Sequence, residues 1–148
     1  MSDWFIIAGL FGSMFILLGA SAFISASEIA FFSLEKVDLN EIKTQDKVKA
    51  KQISNLLNHP DRLLATILIV NNTVNIGMVL ISTIIVDLFQ KRIESPEWLT
   101  FLIQVVGITA LILLFGEIIP KVYATQKKQS LSKIMIGPVN FFDKIFYL

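Results

Sequence analysis

Residues 98–121 read WLTFLIQVVGITALILLFGEIIPK: nineteen residues without a charge, then a glutamate, then a proline three positions on. At about 1.5 Å per residue the run approaches a hydrocarbon core of roughly 30 Å, so it reads as a transmembrane helix. A carboxylate at the end of such a run costs free energy unless it has a partner, a watery cavity or a task. Pro120 has no N–H and cannot bond the Gly116 carbonyl four residues back. The segment therefore sets the Glu117 carboxylate beside a freed backbone carbonyl, and both are hard oxygen ligands of the kind Mg²⁺ takes.

Two further charge-free runs, Trp4 to Ser27 and Leu63 to Val86, have 24 residues each. The 148-residue chain is 54% hydrophobic and 17% charged, well below the quarter or so of a soluble domain. The fold class expected is all-α: a membrane protein with three transmembrane helices. The first run lacks a basic n-region and is too long for a secretory signal. Without cysteine, disulfides and thiolate metal sites are excluded.

Charge fixes the expected topology. Lys36, Lys43, Lys47, Lys49, Lys51 and Arg62 separate runs one and two, and Lys121, Lys127, Lys128, Lys133 and Lys144 follow run three. Between runs two and three lie only Lys91 and Arg92. The positive-inside rule puts the N-terminus outside, and the 33–62 loop and C-terminus in the cytoplasm. Trp4 and Trp98 then anchor the outer ends, and residues 94–97 form the outer turn.

The expected order is a first span at about 4–32, a cytoplasmic helical hairpin at 35–60, and spans at 62–89 and 97–119. A juxtamembrane belt at 121–148 follows. In the hairpin, Asp38 and Glu41 have capping-box spacing, and Ile53, Leu56 and Leu57 form an apolar stripe. Residues 58–61 read as a turn, with Asp61 capping the second span. The tail is apolar but interrupted at Gly137 and Pro138, which suits an interfacial helix with Ile134, Met135, Phe141, Phe142, Ile145 and Phe146 toward lipid. The chain reads as one domain of a longer protein.

Each span also has oxygen-bearing side chains toward its cytoplasmic half. Ser21, Ser25 and Glu28 share a face, the latter two about 40° and −20° from the first on an ideal helix. Asn71 and Asn75 are one turn apart. Two readings stay open for these residues. The serines could bond their own backbone while Gly9, Ser13, Ala22 and Ala26 let helices approach, and the amides could be interhelical glue. Alternatively their oxygens converge with Glu117 on a cation. Glu117 itself could pair with Lys121 at i, i+4, and Glu28 is expected to pair with a loop lysine.

The segments SAFISASEIAFFS (21–33), NHPDRLLAT (58–66), NNTVN (71–75) and FGEIIPK (115–121) resemble the transmembrane domain of the cyclin M and CorC family of magnesium transporters. The resemblance covers essentially the whole chain. It includes bacterial members associated with gliding motility, and Val70 stands where a glycine often precedes the first asparagine. It implies a homodimer in the lipid bilayer of a bacterial inner membrane, a dehydrated Mg²⁺ held by oxygens from all three spans, and Na⁺-driven export. Carried over by position, Ser25, Asn75 and Glu117 are the expected ligands, with Ser21, Asn71 and Gly116 completing the set. Cytoplasmic regulatory domains would follow in a full-length protein.

The expected function is therefore Mg²⁺ transport by alternating access. The alternative is a dimeric membrane scaffold for a cytoplasmic regulatory or motility partner. An enzyme is not expected, since the single histidine, His59, lies in a turn and no zinc-protease motif is present. Nor is a nucleic-acid partner expected.

Overall fold

The computed structural model describes residues 2–90 and 96–147, and every regular element within them is helical. Three helices, α1 (Ser2–Phe32), α4 (Pro60–Gln90) and α5 (Glu97–Gln126), are long and apolar enough to cross a membrane. Between the first two lies a hairpin of α2 (Lys36–Gln45) and α3 (Lys47–Leu57), and α6 (Lys128–Phe146) follows α5. The outer turn expected at 94–97 falls largely outside the described residues, as do Lys91 and Arg92.

Local chemistry sets the helix ends, in places not where the sequence suggested. The expected Asp38–Glu41 box is one turn early: Glu35 is the N-cap, and its N–H donates to Asp38 Oδ2 at 2.8 Å. Asp46 caps α3, accepting from the Val48 and Lys49 N–H groups at 3.1 and 3.0 Å. Asp61 lies in the first turn of α4 and does not precede it, because Pro60 already opens that helix. A proline there has its φ preset and forgoes an N–H that would lack a partner anyway.

Two stretches of α5 are wound as π-helix, Ile103–Ile108 and Ile112–Ile118, with the Ile119 N–H reaching the Leu114 carbonyl five residues back. Such wide turns are rare and often accompany functional sites. Here the second one carries Gly116 and Glu117.

Gly137 and Pro138, which interrupt the apolar tail, do not interrupt the helix, and α6 runs through them. Pro138 removes one backbone bond, but Met135, Ile136 and Val139 on either side are buried and hold the helix in place. Met135 is 1% exposed and belongs to the core, not to a lipid-facing surface. Phe142 is only partly exposed, whereas Ile134, Phe141, Ile145 and Phe146 are exposed as the interfacial reading requires.

The apolar core sits at the lysine-rich end, where Ala30 and Phe31 of α1, Ile53 of α3, Leu63 and Ile67 of α4, and Ala124 of α5 meet α6. Polar ties reinforce it. Arg62 Nε donates to Asp143 Oδ1 at 2.8 Å while its guanidinium lies 4.4 Å from the Tyr147 ring centre. Lys128 Nζ lies 2.8 Å from Asp38 Oδ2, and Gln129 Nε2 donates to Asp38 Oδ1 at 2.7 Å. At the other end the spans diverge around an apolar groove of about 520 Å³, beside which Phe11 and Phe89 pack edge to face at 6.4 Å. The bundle is thus clamped at one end and looser at the other, with the polar side chains between.

Candidate functional site

Ser21, on the inner face of α1, is fully buried at 0% exposure. Its Oγ lies 2.9 Å from Asn75 Oδ1, 3.2 Å from Asn71 Oδ1 and 3.5 Å from the Gly116 carbonyl. Ser25 Oγ adds a contact of 3.3 Å to Asn71 Oδ1. On the far side of the amides, Asn75 Nδ2 donates to Glu117 Oε1 at 2.9 Å and Asn71 Nδ2 to the same atom at 3.4 Å. All six residues singled out in the sequence, Ser21, Ser25, Asn71, Asn75, Gly116 and Glu117, thus belong to one cluster that draws on all three spans.

The two readings of the serines now separate. Ser13 and Ser27 bond their own helix, to the carbonyls of Gly9 and Ile24 at 2.6 Å each. Ser21 and Ser25 instead reach across to α4. Gly9, Gly12 and Gly19 face open space and mediate no close approach. Gly116 does: a Cβ there would lie 3.0 Å from Ser21 Oγ and 3.5 Å from Ser21 Cβ. A larger residue on α5 would press on the Ser21 hydroxyl of α1.

The chemistry of the cluster is unbalanced toward acceptors. A serine hydroxyl has one proton, yet Ser21 faces three acceptor oxygens. Glu117 supplies the formal negative charge, and its contacts in this arrangement are to amide nitrogens, which orients both amide oxygens toward Ser21. The alternative pairing of Glu117 with Lys121 does not form, since Lys121 Nζ instead bonds Glu28 Oε2 at 2.8 Å. Glu28 therefore pairs with a lysine on α5, not with one from the hairpin loop. The described residues contain no group of three or more His, Cys, Asp or Glu able to hold a metal, so any cation here would rely on neutral oxygens beside the single Glu117 carboxylate.

Asn75 also lines an open groove of about 510 Å³ between α4 and α5, together with Asn72 and Thr109. Farther along the same pair of helices, Gln104 Nε2 donates to Thr83 Oγ1 at 2.7 Å. That tie was not expected from the sequence, although a lone glutamine in a charge-free run is the signal that points to it. Val70 is buried and lines a small cavity with Ile24, Val139 and Phe142, so its side chain packs toward α6 and away from the serines.

These features define a helical integral membrane domain with a polar oxygen cluster buried among its spans. The chain belongs to the cyclin M transmembrane N-terminal domain family, whose profile matches residues 12–148. It is 34% identical over 138 residues to a UPF0053 protein of Haemophilus influenzae, covering 93% of this chain and 31% of that protein. It is 30% identical over 122 residues to the UPF0053 inner membrane protein YfjD of Escherichia coli, covering 80% and 27%. A polyamine export protein of Haemophilus influenzae matches at 28% over 138 residues, covering 88% and 32%. The chain spans about a third of the length of these relatives.

Proposed function

We propose that this domain binds and transports Mg²⁺ through the cluster formed by Ser21, Ser25, Asn71, Asn75, Gly116 and Glu117. The observation that carries the reading is the proton count at Ser21: one hydroxyl donor among three acceptor oxygens, which a cation would reconcile. Oxygens bound to Mg²⁺ at about 2.1 Å in an octahedron lie roughly 3 Å apart, and the oxygen contacts here run from 2.9 to 3.5 Å. The longer contacts would contract around a small ion, with Glu117 turning from the amide nitrogens to complete the shell. A single carboxylate among neutral oxygens suits an ion that must leave again. Transport would proceed by alternating access, driven by Na⁺, in a homodimer whose N-termini lie outside and whose cytoplasmic regulatory domains follow this segment.

The polyamine export relative raises an organic cation as cargo. A polyamine has several separated ammonium groups, whereas this cluster offers one carboxylate, and Glu28 is already paired with Lys121. The geometry therefore favours a compact ion. A second reading, a non-transporting scaffold, has its own support: among the described residues no buried side-chain nitrogen or oxygen lacks a partner, so the cluster also serves as interhelical glue.

A thermal-shift titration of the purified domain with Mg²⁺, Ca²⁺, Na⁺ and spermidine separates these readings. Saturable stabilisation by Mg²⁺ that Asn75→Ala abolishes supports the site. Stabilisation by spermidine alone identifies the organic cargo, and no response to any cation leaves the scaffold. Flux of Mg²⁺ in liposomes with the full-length protein then tests transport.

A further inference from the structure

Apart from the membrane cluster, the strongest concentration of charge is on the hairpin. Its acids are engaged: Asp38 with Lys128 and Gln129, Glu41 with Gln129, and Asp46 in capping α3. Its lysines divide differently. Lys36, Lys43, Lys47 and Lys51 are exposed, and none makes an ion pair or hydrogen bond among the described residues. All four line a single groove of about 590 Å³ between α2 and α3, alongside Asn40 and Asn55.

Helical spacing explains the arrangement. Lys36, Asn40 and Lys43 fall at i, i+4 and i+7 on α2, and Lys47, Lys51 and Asn55 at i, i+4 and i+8 on α3, so each helix turns one stripe to the groove. The acids meanwhile face α6 or cap a helix. Lys36 and Lys47 are also the first residues of their helices, where the helix dipole disfavours a cation. Like charges gathered around one cavity, two of them against the dipole, leave an uncompensated positive potential that an anion would relieve.

We infer that this groove is a binding site for a phosphate-bearing anion. The lysines act as point charges on the phosphoryl oxygens, and the side-chain amides of Asn40 and Asn55 can donate beside them. Its size falls in the range of small-molecule sites. The phosphate would come from an anionic lipid headgroup of the adjoining leaflet or from a soluble phosphate compound. The inference is independent of the cation reading, since the groove shares no residue with the membrane cluster.

The test uses the chain in phosphatidylcholine nanodiscs, with inorganic pyrophosphate binding followed by calorimetry at low salt. In parallel, phosphatidylglycerol is added to the nanodiscs and its retention measured by native mass spectrometry. Lys43→Gln/Lys47→Gln is compared with the charge-matched Lys49→Gln/Lys144→Gln, neither of whose residues lines the groove. Saturable pyrophosphate binding weakened about tenfold only in the groove variant assigns a soluble anion. Retained phosphatidylglycerol lost only in the groove variant assigns the lipid. Lys36→Gln/Lys51→Gln repeats the comparison should the first variant melt early. Equal behaviour of groove and control variants, or no binding of either probe by the unaltered chain, overturns the inference.

Discussion

Asn75 is gripped by Glu117: its Nδ2 donates to Glu117 Oε1 at 2.9 Å, and that bond turns the amide oxygen to within 2.9 Å of Ser21 Oγ. The carboxylate thus has two separable effects on the cluster, one through its charge and one through the orientation of an amide. Glu117→Gln keeps an oxygen for the amide but removes the charge, whereas Glu117→Ala removes both. Mg²⁺-dependent stabilisation should fall strongly in both variants. Ion-free stability should fall by about 1.5–3 kcal/mol in the alanine variant and by less in the glutamine one. Calorimetric Mg²⁺ binding unchanged by Glu117→Gln would remove the carboxylate from the site.

Gly116→Ala places a methyl 3.0 Å from Ser21 Oγ and 3.6 Å from Leu18 Cδ1. The Ser21 hydroxyl must give by a few tenths of an ångström, whereas Ser21 Cβ at 3.5 Å is in ordinary contact. The expected loss is about 1–3 kcal/mol in stability, with cation binding lost as Ser21 leaves the Gly116 carbonyl. Gly9→Ala meets open space and should be neutral or stabilising by up to roughly 1 kcal/mol from helix propensity. Melting temperatures of the two variants side by side check this.

Lys121 belongs to Glu28, although Glu117 is its neighbour at i, i+4. A double-mutant cycle with Glu28→Gln and Lys121→Met should give a coupling of about 0.5–1 kcal/mol, in the range of partly exposed pairs. The cycle of Lys121→Met with Glu117→Gln should give a distinctly smaller value. Equal couplings would mean that Lys121 is shared.

Outside the membrane, Asp38 ties α2 to α6. The hydrogen bond from Gln129, then that from Lys128 and the Glu35 N–H, lower its pKa from 3.8 to about 2. A carboxyl depressed on folding contributes stability above pH 3.8, and that contribution is lost as pH falls toward about 2. The Asp38 bond conversely raises the pKa of Lys128 above 10.5, so its share is complete below that pH and lost as pH rises past the raised value. Asp38→Asn should melt earlier than the unaltered chain at neutral pH. The difference should narrow below about pH 4, which melting curves from pH 7 to 3 would show.

Hydropathy made the three spans legible, because a charge-free run of bilayer length has few other uses. The site was legible for a related reason. Ser21, Asn71, Asn75 and Glu117 stand out only against apolar neighbours, and helical periodicity puts the polar residues of each span on one side. What the sequence did not disclose depends on contacts between segments. Lys121 had two carboxylates within reach, and only the packing of α1 against α5 chooses Glu28. Met135 looks like any lipid-facing residue until the core closes around it. Pro138 breaks helices as a rule, yet here tertiary packing outweighs the lost bond.

The π-helical turns of α5 also bear on its rotation. Each wide turn holds a residue more than an α turn would, so the helix reaches Glu117 out of phase with a regular one. Converting one wide turn to an α turn would swing everything beyond it by roughly 100° about the axis, the angle subtended by one residue. Backbone bonds would be exchanged from five-residue to four-residue spacing without unwinding the helix. The glutamate that holds the amides thus sits on a rotary vernier: tightening the turn would set it a notch away, whereas deleting one residue between Leu111 and Gly116 would take out the excess residue and leave its face unchanged.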